Sequence, residues 1–277
     1  WGSRLAATGG ALATLAASAA LSTAACDSKH YFQPLAPYPE WDPNWDFRGP
    51  PLGQQRSQPS GPVRHVILVR HAQYDERERD DAMRVLTPLG RQQAEITAER
   101  LAEIARATRG RVRIHSSTMT RARQTAEIIR ERLGPDVVVM PPDPNLAEGW
   151  PAVAIPSRSM AQAEERFRDS ARIEAAFRSL FYRGRWAPDG PVDLKAAPRD
   201  EVHEYDIVVC HANVIRYFAL RALQLPPEAW LRLSTFNCSI TYLVVRPTGG
   251  VSMRSLGDVG HLPLEMTTFS LHRGLEW

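Results

Sequence analysis

Two histidines follow short apolar runs at the points where those runs end. Arg70 and His71 come directly after Val66–Val69, and His211 comes directly after Ile207–Cys210. Short runs rich in β-branched residues are typical of central strands in a parallel sheet that is covered on both faces. In an open α/β sheet the ligand crevice lies beyond the carboxyl ends of the strands. We therefore expect both histidines to face one pocket, and the arginine beside His71 favours phosphoryl chemistry.

A third segment adds a cation to the same pocket. Arg111–Ser117 predicts another strand, and the helix that opens just after it carries Arg121 in its first turn. Helix N-termini favour phosphate because their N–H groups are free and the helix dipole is positive there. A guanidinium group can bond two phosphate oxygens at once. Glu148 lies further along, in a predicted loop before the second histidine strand.

These segments, in this order, resemble the histidine phosphatase superfamily, whose fold is that of phosphoglycerate mutase. Leu86–Ala94 is similar to the family's helix-opening segment, and the resemblance covers about residues 64 to 254. Three further segments resemble a narrower branch, the mitochondrial membrane-anchored serine/threonine protein phosphatases: Ala171–Arg178, His211–Tyr217 and Trp41–Asp46.

The resemblance implies a role for each candidate residue. His71 is the expected nucleophile, which would form a phosphohistidine that water later hydrolyses. Arg70 and Arg121 are expected to bind the phosphoryl oxygens, with His211 as a further phosphate donor in the catalytic set. Glu148 is the expected general acid for the leaving alkoxide and then the base for water. The mechanism requires neither a metal ion nor a cofactor.

The residues after His71 bear on the substrate class. Metabolic mutases of this superfamily typically carry a glycine there, then an acid and a Trp-Asn pair, whereas Ala72–Asp75 follows here. The Arg-His-Gly-x-Arg pattern of histidine acid phosphatases is also missing from the sequence. With these patterns missing, the resemblance to the narrower branch implies phosphoserine and phosphothreonine proteins as substrates. A small-molecule phosphatase or phosphoglycerate mutase-like enzyme is the alternative, and a non-catalytic scaffold is a third hypothesis.

Composition is ordinary for a globular protein. The chain has 277 residues, 43% of them hydrophobic, and a net charge of +3, which suits one α/β domain with an N-terminal extension. The sequence has no lysine-rich run and no basic stripe with interleaved aromatic residues, so we expect no nucleic-acid partner. Cys26, Cys210 and Cys238 form no CxxC pair and no even framework, so we expect no disulfide scaffold and a buried thiol at Cys210.

The N-terminal region has two parts. Leu5–Cys26 contains no charged residue and is long enough to span a bilayer, for which about 20 residues are needed. Its Ala, Ser, Thr and Gly content makes a removable targeting segment the alternative, while the resemblance favours an anchor in the outer mitochondrial membrane. We expect three regions: a membrane anchor or targeting segment over 1–26, a linker over 27–62, and a histidine phosphatase domain over 63–277.

Within the linker lies a hexapeptide with two tryptophans: Trp41, Asp42, Pro43, Asn44, Trp45 and Asp46. One interpretation is a tail that packs on its own domain. The other is an interaction motif, because tryptophan is enriched among residues that dominate binding energy. The resemblance implies the second role, in which the hexapeptide links dimers into larger oligomers and supports activity.

Periodicity within the domain predicts alternating helices and strands. Thr87 suits an N-cap, and Pro88 suits the first helical position. A later helix is expected to bury five apolar residues: Phe167, Ile173, Ala176, Phe177 and Leu180. Ile240–Val245 and Val251–Leu256 flank a Pro-Thr-Gly-Gly turn and predict a closing hairpin. The fold expected from this pattern is α/β, a three-layer sandwich with a mostly parallel central sheet, phosphoglycerate mutase-like.

Overall fold

The computed structural model describes residues 40–49, 61–106, 110–155, 163–184 and 203–269. The chain divides into two compact units, Trp1–Glu40 and Trp41–Trp277. The predicted anchor or targeting segment, 1–26, lies outside the described residues. Within the described ranges, no helix combines the length and the apolar character that crossing a membrane requires.

Six strands in the described part of the second unit form one sheet. Their bounds are β1 Val63–Arg70, β2 Arg111–Ser116, β3 Val138–Val139, β4 His203–Cys210, β5 Ile240–Val245 and β6 Val251–Asp258. The strand order is β3-β2-β4-β1-β5-β6. The pairs β3–β2, β2–β4 and β4–β1 are parallel, whereas β1–β5 and β5–β6 are antiparallel. The expected mostly parallel sheet and the closing hairpin are thus confirmed.

Helices cover both faces of the sheet. Their bounds are α1 Pro88–Arg106, α2 Thr120–Leu133, α3 Ala163–Leu180 and α4 Ala212–Ala222. Successive side chains of β1 point to opposite faces: Val66 and Leu68 pack with apolar residues of α3 and α4, and Ile67 and Val69 pack with those of α1 and α2. This arrangement is the three-layer α/β sandwich predicted from the sequence.

Local signals in the sequence place the helix ends correctly. The Thr87 hydroxyl accepts a hydrogen bond from the Gly90 N–H at 3.0 Å, which satisfies one of the free donors at the start of α1. Gly134 follows α2 with a φ of 90°, a conformation that costs a glycine little. Cys210 is a buried, free thiol, as expected.

The prediction that Phe167 is buried was wrong. Its side chain is 79% exposed, whereas Ile173, Ala176 and Phe177 are buried. At about 100° per residue, Phe167 lies on the side of α3 opposite Ala176. We predicted burial of Phe167 because its side chain is hydrophobic, but its position on the helix exposes it to solvent.

The hexapeptide Trp41–Asp46 packs on the domain of its own chain. The Trp45 indole N–H donates to the Gly249 carbonyl oxygen at 2.8 Å, and the Trp45 ring packs against the core cluster that contains Phe177. Asp46 forms a buried ion pair with Arg183 at 2.7 Å. Trp41, by contrast, is 40% exposed. These contacts agree with the tail interpretation, and the assembly role of the hexapeptide stays a prediction.

Candidate active site

The parallel strands β1, β4 and β2 end at the same edge of the sheet, and Arg70, His71 and His211 lie at or just after these ends. Arg70, the last residue of β1, is in register with Cys210, the last residue of β4. The chain leaves the β1 strand at His71, whose N–H donates to the Cys210 carbonyl oxygen at 3.0 Å. His211 precedes the first residue of α4 as its N-cap. The imidazole centroids of His71 and His211 are therefore only 5.1 Å apart.

The contacts of His71 select one neutral tautomer. Nδ1 lies 2.9 Å from the Ala72 carbonyl oxygen, and an acceptor at that position requires a proton on Nδ1. Arg121 Nε donates to His71 Nε2 at 3.2 Å, which requires a lone pair on Nε2. Burial, together with the charge of Arg121, lowers the pKa of His71 well below its usual value. His71 therefore presents an unprotonated nitrogen at neutral pH.

Arg121 is buried and is held from several sides. Its guanidinium stacks over the Tyr74 ring, 4.6 Å from the centroid. One Nη donates to the Asp81 carboxylate at 3.2 Å, and the other carboxylate oxygen accepts from the Thr120 N–H at the start of α2. Asp81 thus accepts hydrogen bonds from one Nη of Arg121 and from one N–H at the start of α2.

Arg70 and His211 offer further donors. Arg70 is buried, and one of its Nη atoms donates to the Thr235 carbonyl oxygen at 2.7 Å. Burial lowers the pKa of Arg70 to about 10, so it stays charged at neutral pH. His211 Nε2 lies 2.9 Å from the Ser117 hydroxyl. Within the described residues, Arg70 Nε and His211 Nδ1 are buried without a hydrogen-bond partner. The oxygens of a phosphoryl group would give these buried nitrogens hydrogen-bond partners.

Glu148 faces the same cluster of positive charge. Its carboxylate accepts hydrogen bonds from the Gly149 N–H at 3.1 Å and from the Asn213 N–H at 3.3 Å. Loss of water around the carboxyl group raises its pKa, although the charges of Arg121 and Arg70 oppose that shift. A raised pKa favours the protonated form that a general acid needs.

The structure therefore gathers the residues predicted to be catalytic or to bind phosphate: Arg70, His71, Arg121, Glu148 and His211. The arrangement can place a neutral imidazole nitrogen, two guanidinium groups and a carboxyl group around one phosphoryl ester. No group of three or more His, Cys, Asp or Glu residues capable of holding a metal ion occurs in the part of the chain that the structure describes.

Several residues of the site were missed in the sequence analysis. Asp81 reaches Arg121 from a short 3-10 helix, Asp81–Met83, between β1 and α1, and nothing in its local sequence signals that contact. Arg216 of α4 is buried, and its Nη donates to the Asn213 side chain at 3.2 Å. Asn213 and Arg216 belong to the segment His211–Tyr217, so their closeness to His211 in the chain was an available signal.

The fold and this constellation define a phosphoryl-transfer domain with a histidine at its centre. The model of the histidine phosphatase superfamily (branch 1) matches residues 66–181 and 193–258, and the chain belongs to that superfamily.

Within the superfamily, the chain is similar to proteins named mitochondrial serine/threonine-protein phosphatase PGAM5. It is 43% identical to the one from Homo sapiens over 250 residues, which are 83% of this chain and 80% of the human protein. It is 38% identical to the one from Caenorhabditis elegans over 252 residues, which are 84% of this chain and 82% of the Caenorhabditis elegans protein. Among solved structures, phosphoglycerate mutase from Plasmodium falciparum is 36% identical, covers 76% of this chain and 100% of its own, and has a TM-score of 0.49.

Proposed function

We propose that this protein is a mitochondrial serine/threonine protein phosphatase that works through a phosphohistidine on His71. The relatives that cover more than four fifths of the chain carry the name of that activity and that compartment. The observation that carries the mechanism is the neutral His71, whose Nε2 lone pair faces the Arg121 guanidinium. An unprotonated imidazole nitrogen beside a cation is suited to attack a phosphorus atom whose oxygens bind that cation.

The reaction has two steps. In the first, His71 Nε2 attacks phosphorus, the P–O bond to the serine or threonine oxygen breaks, and the carboxyl group of Glu148 donates a proton to that oxygen. Arg70, Arg121 and His211 bind the phosphoryl oxygens as charge develops on them. In the second, water attacks phosphorus, the P–N bond breaks, and the Glu148 carboxylate accepts the proton. The products are the dephosphorylated residue, inorganic phosphate and neutral His71.

A His71→Ala variant tests the mechanism. Turnover of a phosphothreonine peptide should fall at least about a thousandfold, because loss of a covalent nucleophile removes the whole route. His203→Ala is the control, since His203 is a partly exposed histidine at the start of β4. It should keep activity within about threefold of the parent. Radiolabelled phosphate that is trapped on His71 at alkaline pH and released by acid would identify the intermediate.

A substrate panel tests the substrate class. The parent protein should hydrolyse phosphoserine and phosphothreonine peptides faster than 3-phosphoglycerate or sugar phosphates. Preference for the small molecules would favour the alternative enzyme, and no turnover of any phosphate ester would favour the scaffold hypothesis. His71→Ala with parental activity would refute the nucleophile assignment under either enzyme hypothesis.

The remaining proposals concern assembly and location. We propose that residues 1–26 anchor the protein in the outer mitochondrial membrane, that 27–62 form a linker, and that 63–277 form the catalytic domain. The hexapeptide Trp41–Asp46 is proposed to join dimers into larger oligomers. Its exposed Trp41 supports this role, because an exposed tryptophan is available to a second subunit.

A further inference from the structure

The loop that carries Glu148 is held by an ion pair on α3. Asp169 and Arg172 are three positions apart and so lie on the same side of that helix. Their side chains pair at 2.9 Å and are 8% and 20% exposed. Their hydrogen bonds and ion pairs within the described residues go to other groups than the predicted phosphate ligands, and the proposed reaction gives neither residue a role.

The contacts of Arg172 are with the backbone around Glu148. One Nη donates to the carbonyl oxygens of Asn145 and Ala147, at 3.3 and 2.5 Å. The other donates to the carbonyl oxygen of Glu148 itself at 2.8 Å. One guanidinium therefore binds three carbonyl groups in a segment of four residues.

Asp169 completes the arrangement from the other side of the loop. Its carboxylate accepts a hydrogen bond from the Trp150 N–H at 3.1 Å. The backbone on both sides of the Glu148 side chain is thus tied to α3. We call the pair Asp169 and Arg172, with these backbone contacts, the loop clamp.

Gly149 provides an independent indication that the clamp is built closely against this loop. A Cβ atom at Gly149 would collide with an Arg172 Nη and with the Asp169 carboxylate. A glycine therefore follows Glu148 because the ion pair occupies the space that a side chain would need.

We propose that the Asp169–Arg172 pair positions Glu148 as the general acid of the first chemical step. This inference rests on the proposed phosphatase function. The clamp fixes the backbone, so the Glu148 carboxyl group is held where the leaving oxygen forms. Arg172 and Asp169 are positioning residues, since they act through the Glu148 loop. Burial, followed by the charges of Arg121 and Arg70, lowers the pKa of His211, and the charge of Arg172 adds to that shift, so the electrostatic field of the clamp extends to the site.

The dependence of the rate on the leaving group separates this role from general support of the fold. A threonine alkoxide needs a proton as it leaves, whereas p-nitrophenolate is a weak base and does not. The ratio kcat/KM reports the steps up to formation of the phosphohistidine, so it isolates the step in which Glu148 acts as an acid. General-acid catalysis contributes about 10²–10⁴-fold to a rate, and a displacement of about 1 Å can remove about 10²-fold.

The experiment compares Arg172→Ala with the parent, using the full chain and both substrates. We expect kcat/KM for a phosphothreonine peptide to fall about 10²-fold, with a change below about threefold for p-nitrophenyl phosphate. Glu148→Gln should show the same selectivity, and adding Arg172→Ala to it should cause little further loss on the peptide. Arg178→Ala is the matched control, because Arg178 lies on α3, is exposed and pairs with Glu174. It should match the parent on both substrates.

Arg172→Lys tests the same role with a more conservative substitution, in case Arg172→Ala does not fold. Lysine keeps the charge beside Asp169 but lacks the planar fork that reaches several carbonyl oxygens, so a smaller loss with the same selectivity is expected. Equal losses on the two substrates, or parental rates on both, in a variant with parental thermal unfolding would overturn the positioning role. A parent that does not hydrolyse the phosphopeptide would instead count against the proposed function, and a Glu148→Gln variant without leaving-group selectivity would count against Glu148 as the acid.

Discussion

Replacing Asp206 by asparagine should destabilise the domain strongly. Asp206 is on β4 and is 1% exposed, and its carboxylate pairs with Arg64 of β1, which is equally buried. Arg113 of β2 donates to the same carboxylate at 2.7 Å, and His115 lies 2.9 Å from it. This one carboxylate therefore connects the three parallel strands whose far ends carry the active site.

The expected magnitude follows from the burial of Arg64. An asparagine at 206 leaves the buried Arg64 guanidinium without its hydrogen-bonded counter-charge, and the Glu204 carboxylate stays 3.9 Å from Arg64 Nε. Breaking a buried ion pair in this way costs about 3–5 kcal/mol. Domains are usually stable by about 5–15 kcal/mol, so the variant should lose a large fraction of its free energy of unfolding. For a domain of this size each kcal/mol corresponds to about 2–4 °C in Tm, which gives a decrease of roughly 6–20 °C.

Denaturant titration and thermal unfolding measure this loss. Asp75→Asn is the matched control, because the Asp75–Arg77 pair is exposed at the arginine, and exposed pairs contribute about 0–1 kcal/mol. At a temperature where Asp206→Asn is folded, kcat/KM should stay near the parental value, since Asp206 lies in the middle of β4 whereas His211 follows its end.

The pH dependence provides a second check. Burial raises the pKa of Asp206, but the hydrogen bonds from His115 and Arg113 and the charge of Arg64 lower it overall. A depressed carboxyl pKa contributes stability above the unfolded value of about 3.9, and this contribution is lost as the pH falls below it. The difference between parent and variant should therefore shrink below about pH 4. A variant within about 1 kcal/mol of the parent at pH 7 would refute the cross-strand role.

Three further predictions concern the site and the assembly. Chelation by EDTA should leave the turnover rate nearly unchanged, because two arginines supply the positive charge and His211 a further hydrogen-bond donor; a collapse that added Mg²⁺ reverses would contradict this. Trp41→Ala with Trp45→Ala should reduce a large assembly to dimers or monomers by light scattering, and an unchanged molar mass would leave the hexapeptide as a packed tail. Asp81→Asn should strengthen inhibition by inorganic phosphate up to about fivefold, because its carboxylate competes for Arg121; weaker inhibition would show instead that Asp81 positions that arginine.

Much of this protein could be predicted from its sequence because the determining interactions are local or follow from hydrophobic pattern. The apolar runs before His71 and His211 specify buried strands, and parallel strands in one sheet end on the same side. The closeness of the two histidines could therefore be predicted without knowledge of side-chain packing, and in the structure their rings are 5.1 Å apart. The cap at Thr87 is similarly local, because the hydroxyl bonds an N–H of its own helix.

Contacts between distant segments could not be predicted in this way. Asp81 approaches Arg121, and Asp169 approaches the loop of Glu148, only after separate elements have packed. Each of these carboxylates, read in sequence, is one more charged residue in a polar stretch. The exposure of Phe167 depended on which side of α3 meets the sheet. The sequence by itself determined which strands end in chemically active residues, and only the tertiary structure decided which charged side chains hold those residues in place, because the energy of a buried ion pair depends on distances and solvent exclusion that packing creates.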